Sequence, residues 1–211
     1  MKLVWSPEIA AKALVDTVKS CEIVEGSSVA ELISAMAAGW NAKVIVETWC
    51  SGDATTTSIG LCVASIHTKG RHVCIVSDED TKFEYIAKMK KAEMSAEVIV
   101  GEPENAIKGL VIDFLVVDAR IKNIIKEAKF GVRGAVLVCK NAASNVQLCS
   151  LFDGGSRRIV RSVFLPVGKG MDIAHVAGEN GSGSDREKKK KKSRWIRRVD
   201  RRSGEEFMFR K

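Results

Sequence analysis

Apolar positions along the chain follow two periods. Short apolar runs bounded by polar residues or glycine lie at 43–47 (KVIVE), 71–77 (RHVCIVS), 96–101 (AEVIVG), 111–118 (VIDFLVVD) and 135–139 (AVLVC), and each reads as a strand. The run at 111–118 is so nearly all apolar that it should be buried on both faces. Between the runs the spacing turns helical. Ile9, Ala13, Leu14 and Val18 form one stripe, and Val29, Leu32, Ile33 and Met36 a second. Ile59, Val63 and Ile66 form a third, and Phe83, Ile86, Ala87 and Lys90 a fourth, with another helical stretch at 121–129. Ser6-Pro7-Glu8 and Ser28 followed by Glu31 are helix starts. Strands alternating with helices predict a doubly wound, mostly parallel α/β sheet with helices on both faces and right-handed crossovers. Two more strand-like runs, 158–165 and 171–176, are separated by a Pro166 to Gly170 turn, which predicts an antiparallel edge hairpin. That makes seven strands, with Val44 to Glu47 central.

The stretch 42–60, AKVIVETWCSGDATTTSIG, organises the rest. A strand ending at Glu47 runs into a small polar turn, Cys50-Ser51-Gly52-Asp53, and then into a helix opened by Thr55 to Ser58. This is how an α/β sheet builds a ligand crevice at the carboxyl ends of its strands. The N–H groups opening the helix suit the carboxylate or hydroxyl of a small molecule.

Charge changes the picture at one end only. The formal net charge is +8, but residues 179–211 hold 13 Lys/Arg against 6 Asp/Glu, a net +7. The body is therefore near neutral and divides from a basic, disordered tail at 178–211. Lys188 to Lys192 with Arg194, Arg197 and Arg198 are either a solvated run or a polyanion or protein contact spanning 186–202. The 188–198 run also fits a nuclear-import signal. No apolar run is long enough to cross a bilayer, and MKLVWSPEIAAK lacks a signal peptide's apolar core, so the expected setting is intracellular and cytoplasmic. Six scattered cysteines without a CxxC pair read as reduced thiols. His67 and His72 flank a turn and read as surface residues, and His175 falls on a predicted edge strand. No histidine has the neighbours of a nucleophile–base pair, which argues against a hydrolase.

In this order the motifs resemble the class I S-adenosylmethionine-dependent methyltransferases, specifically the small catechol-type O-methyltransferases. Glu47 after AKVIV looks like the acid ending that family's first strand. AEVIVGEPENAI looks like its third strand with the acid beside adenine, here Glu102. IDFLVVDAR looks like its fourth-strand signature, and SVFLPVGKGMDIAHV like its closing hairpin. The match runs from about Glu25 to Val176. The chain is also similar to a plant family of unknown function in that superfamily. The resemblance implies a Rossmann-like fold and S-adenosylmethionine as cofactor. It implies that Glu47, Trp49, Ser51, Gly52, Asp78 and Glu102 hold the cofactor, and that Asp118, Lys140 and Asn141 face the acceptor. The residues alone leave alternatives open: Glu47 as a carboxylate capping a nearby helix, and Asp78 as the cap of the next one.

Two departures stand out. The family's first turn has glycines where this chain has Trp49, Ser51 and Asp53; Gly52 falls between them and is the residue expected to carry the turn. Trp49 puts an indole where the family has no side chain, so the usual cofactor pose is expected to be weakened. Cation-dependent relatives ligate magnesium through an Asp after the fourth strand and an Asp-Asn pair after the fifth. Asp118 and Asn141 match, but the middle position is Lys140, which has no lone pair to offer when charged and could pair with Asp118 instead. The expectation is a metal-independent protein. The other reading is a degenerate relative that keeps the fold as a binding module. A nicotinamide-binding Rossmann protein is disfavoured, because ETWCSGDA does not supply G-x-G-x-x-G.

Overall fold

The structure, a computed structural model, describes residues 5–21, 28–142, 148, 158–178, 195–199 and 206–210. The chain divides into two units, Met1–Asn180 and Gly181–Lys211.

The first unit opens with helices α1 (Pro7–Cys21) and α2 (Ser28–Gly39). Then follow β1 (Val44–Thr48), α3 (Thr56–Thr68), β2 (Arg71–Val76), α4 (Glu79–Lys91) and β3 (Glu97–Val100). Next come the short α5 (Pro103–Ala106), β4 (Val111–Ile112), β5 (Phe114–Asp118), β6 (Lys129–Phe130), β7 (Ala135–Lys140), β8 (Ile159–Leu165) and β9 (Met171–Val176). The main sheet runs β3-β2-β1-β5-β7-β9-β8, parallel except for β9 and β8, which pair antiparallel with their neighbours. The expected seven-stranded sheet with β1 central is what forms. His175 lies on β9, inside the sheet between β7 and β8 rather than on an edge, with its ring 4.8 Å from that of Trp40.

Period-two alternation sends neighbouring residues to opposite faces. Ile45, Phe114, Val116 and Val138 pack under α1, α2 and α3 with Ala13, Ile33 and Leu61. Val46, Leu115, Val117 and Leu137 pack on the other face against Ile107, Ile124 and Ile125. α3 fits close to α2 because Gly60 has no side chain: a Cβ there would lie 2.6 Å from the Ala30 carbonyl oxygen. Val116 is fully buried in the middle of this core. Val116→Ala is expected to cost about 1–3 kcal/mol in a urea melt; an unchanged midpoint would contradict its central place.

Three local expectations are corrected. α1 buries Ala10, Ala13, Thr17 and Cys21 and leaves Leu14 and Val18 exposed, because small residues let it lie close while the Thr17 hydroxyl donates to Ser34 at 2.8 Å. α4 buries Thr81, Tyr85 and Met89 rather than Phe83 and Ile86, which are exposed. The stretch after β5 winds as a 3-10 helix, Ala119–Lys126, with Ile121 outside helical geometry.

The second unit, expected to be without structure, holds two strands: β10 (Trp195–Val199) and β11 (Glu206–Arg210) pair antiparallel. Among the described residues no helix is long and apolar enough to cross a membrane.

Candidate functional site

The parallel strands end together, with β2 and β3 to one side of β1 and β5 and β7 to the other. The order in which strands are added therefore reverses between the parallel neighbours β1 and β5, where α/β sheets open their ligand crevice. The residues delivered there are Glu47 and the 49–53 loop from β1, Asp78 after β2, Gly101 and Glu102 after β3, Asp118 from β5, and Lys140 and Asn141 from β7.

The 49–53 loop is a packed element. Trp49 is 2% exposed, with its indole turned into the core edge-on to Tyr85 at 5.4 Å and the Lys88 ammonium 5.0 Å from its ring. Ser51 donates to Glu84 at 2.5 Å, and the Gly52 N–H donates to the same carboxylate at 3.3 Å. Asp53 accepts from Arg120 at 3.2 Å. Each of the three residues standing where the resemblance has glycine thus has a partner, two of them on α4. Gly52 carries the turn at φ +82, with open space where a Cβ would stand. The indole does not reach into the crevice, so the steric objection raised by Trp49 falls away. The loop's donors are largely committed: the N–H groups of Trp49, Gly52 and Asp53 bond to Ile75, Glu84 and Cys50.

Glu47 lies beneath the loop, fully buried. Its Oε1 accepts from His72 at 3.1 Å and from the Tyr85 hydroxyl at 3.0 Å. Burial opposes charge on both partners. For Glu47 this is outweighed by the hydrogen bond and charge of His72 and by the charge of Lys140, and its carboxyl sits below its ordinary value. For His72 the opposing burial is outweighed by Cys62 and Glu47, and its pKa rises to about 9. At neutral pH the two form an internal ion pair. His72, expected on the surface, is 5% exposed. Its position opposite Ile45 in the β1–β2 register puts it on the face that also carries Glu47. That register is the signal that could have found it. His67 is the more accessible histidine, 2.9 Å from Asp16.

Asp118 is 1% exposed and its carboxylate is saturated. Oδ1 accepts from the Arg120 backbone N–H at 2.9 Å and from its Nε at 2.7 Å. Oδ2 accepts from Arg120 Nη2 at 3.2 Å and from Asn141 Nδ2 at 2.5 Å. An ionised carboxylate has about four lone-pair sites, and N–H donors occupy all of them. Burial alone would raise this carboxyl; Arg120 and Asn141 outweigh it and hold it low. Lys140 was one candidate partner for Asp118. Arg120 takes that place instead, and among the described residues no ion pair joins Lys140 to Asp118. Arg120 was missed because nothing in its spacing separates it from a solvated surface arginine.

Asp78 and Glu102 are exposed at the ends of β2 and β3. Asp78 caps α4, accepting from Thr81 N–H at 2.7 Å and from Ser77 at 2.6 Å, which lowers its pKa to about 2. Gly101, at φ +144, also has open space where a Cβ would stand. Two surface grooves of about 270 and 300 Å³ lie elsewhere, the first beside Glu104 and Asn123, the second beside Tyr85 and Met94.

Among solved structures the chain is similar to a methyltransferase from Geobacter sulfurreducens, 20% identical with a TM-score of 0.55 over 79% of this chain and 88% of that one. It is similar to the SAH-bound methyltransferase PaMTH1 of Podospora anserina, 16% identical with a TM-score of 0.55 over 83% and 90%. It is also similar to the O-methyltransferase TomG of Streptomyces achromogenes in complex with SAM, 17% identical with a TM-score of 0.51 over 79% and 90%. The fold is that of the class I methyltransferases. The chain belongs to the family described as Protein of unknown function (DUF1442), which it matches over residues 1–211. No curated protein matches the chain.

Proposed function

We propose that this chain is an S-adenosylmethionine-dependent methyltransferase-like protein that works without a metal. In this reading 1–177 is the ligand-binding domain and 178–211 a basic tail. The observation that carries it is the strand-end crevice flanked by two glycines, Gly52 and Gly101, both open where a Cβ would stand, in a fold whose SAH- and SAM-bound neighbours are named above. S-adenosylmethionine, when bound, supplies a methyl group on a sulfonium. Asp78 and Glu102, the exposed acids at the rim, accept hydrogen bonds from ligand hydroxyl and amino groups. Ser51 and Gly52 shape the floor. Lys140, at the end of β7, faces the acceptor and stabilises a developing phenolate or carboxylate by its charge. Glu47 and Trp49 support the loop from below rather than touching the ligand. Asp118, saturated by Arg120 and Asn141, positions those two groups and has no lone pair free to take a proton.

Magnesium does not fit this donor set. Arg120 and Asn141 fill Asp118, Asn141 turns its amide N–H groups toward that carboxylate, and Lys140 brings an ammonium. The 186–202 stretch is a contact for polyanions or proteins, and the protein is intracellular and cytoplasmic, with 188–198 able to direct it to the nucleus.

One observation favours the second reading, a fold retained as a binding module: the N–H groups of Trp49, Gly52 and Asp53 are already used within the protein. Calorimetry with S-adenosylmethionine and S-adenosylhomocysteine separates the two. The enzyme-like reading expects saturable one-to-one binding of both. Heat from neither would leave the binding-module reading.

A further inference from the structure

We propose that α1 is a self-association face, and that two copies of this chain pair through it, helix against helix and antiparallel. The proposal stands independently of the ligand reading above. α1 carries two stripes. Ala10, Ala13, Thr17 and Cys21 face the domain and are buried. Ala11, Leu14, Val15 and Val18 form the second stripe, and all four are exposed, Leu14 and Val18 at 39% and Val15 at 48%. Their spacing of i, i+3, i+4 and i+7 is the pattern of a helix face that packs into a core. A single exposed aliphatic side chain is ordinary. Four aligned over two turns form a contiguous apolar seam, which marks an interaction surface.

The residues along and beside the seam select the occupant. Two such helices laid antiparallel about a two-fold axis between Leu14 and Val15 bring Ala11 opposite Val18 of the second copy and Leu14 opposite its Val15. A small residue then meets a larger one at each end, so the seam fits itself. Charge is self-complementary in the same sense. Glu8 stands in the first turn and Lys19 in the last, and both are exposed. Antiparallel packing brings each Glu8 to the level of the other copy's Lys19, and the two-fold axis repeats the pair. Parallel packing would set Glu8 against Glu8 and Lys19 against Lys19. Lys19 holds Asp16 at 3.5 Å with its side chain 68% exposed, so its ammonium has donors left to reach across. One helix pair is a small contact, at the low end of interface sizes, which makes the dimer concentration-dependent, with half-dissociation at about micromolar concentration.

The test is sedimentation velocity of the full chain in reducing buffer, at concentrations from about 1 to 200 µM, which bracket a micromolar equilibrium. A reversible shift from monomer to dimer is expected across that range. A Leu14→Ser/Val15→Ser/Val18→Ser variant changes exposed side chains only, so its melting curve should match the wild type, and it is expected to stay monomeric throughout. Glu8→Lys is expected to weaken the dimer about threefold or more, and Glu8→Lys/Lys19→Glu to restore it. Cross-linking gives a second readout that does not depend on those variants. Val15→Cys, next to the two-fold axis, is expected to form a disulfide-linked dimer on mild oxidation under conditions that leave the wild type uncross-linked. A wild type that stays monomeric at the top of the range would overturn the proposal. So would a dimer that the serine substitutions leave intact, which would place the contact on another surface, such as the exposed β8 strand. A double charge swap that binds no better than Glu8→Lys, with no cross-link through Val15→Cys, would overturn the antiparallel arrangement.

Discussion

Replacing Trp49 by alanine is expected to lower folding stability by about 3–5 kcal/mol, the usual range for truncating a large buried aromatic. Stability of a domain this size is itself about 5–15 kcal/mol, so the variant should melt far below the wild type. The indole is 2% exposed and meets Tyr85 edge-on at 5.4 Å, with Lys88 over its ring. Removing it takes away three things at once: buried area, an aromatic pair and the anchor that holds the 49–53 loop against α4. Trp49→Phe keeps the ring–ring contact and should recover part of the loss. A urea titration of both variants is the measurement. An alanine variant of wild-type stability that gains affinity for S-adenosylhomocysteine would put the indole in the crevice and contradict the packing described here.

The second large effect concerns the internal pair of Glu47 and His72. Removing one partner of a buried ion pair leaves an uncompensated charge and costs about 3–5 kcal/mol, whereas replacing both by apolar residues of similar volume is far milder. Glu47→Leu alone and His72→Leu alone are therefore each expected to destabilise strongly, and the double variant less than either. The pH dependence has a definite sign. His72 is raised from its ordinary 6.5 to about 9, so its contribution is whole below pH 6.5 and is lost as pH rises through about 9. Glu47 is lowered from its ordinary 4.5, so its contribution is whole above pH 4.5 and is lost as pH falls through its lower folded value. Urea midpoints of the wild type should hold between pH 4.5 and 6.5 and decline from 6.5 toward 9. In the double variant that decline should vanish. A wild-type curve flat from pH 6.5 to 9 would mean that His72 is neutral in the fold.

The strands were legible because their chemistry is local. Within VIDFLVVD the run Phe114 to Asp118 is the strand covered on both sides. Val111, expected to be buried with it, is exposed, because Val111 and Ile112 pair with β6 instead. The Pro166 to Gly170 turn allows only a tight return. The helix faces were less legible. α1 and α4 each offer a bulky apolar stripe, yet both bury a smaller or more polar one, because the fit against neighbouring helices and the need of Glu47 for Tyr85 decide the matter. Neither is visible within a single helix. The site was half legible. Asp118, Lys140 and Asn141 were brought to one end of the sheet as the motif order suggested. The partners of those residues were not readable: Arg120 lies two residues beyond Asp118 and folds back onto it, and His72 reaches Glu47 across a strand pair. Gly52 was readable, because only glycine takes φ +82 without strain.

On the proposed reading the strand-end crevice holds the cofactor without a metal. Amide chemical shifts followed during titration with S-adenosylhomocysteine, once in EDTA and once in excess magnesium, test it most directly. Saturable shifts are expected at Gly52, Gly101 and the opening amides of α3, the same in both buffers, with none at Glu104 or Asn123. Shifts that require magnesium, or that leave Gly52 and Gly101 unmoved, would contradict it.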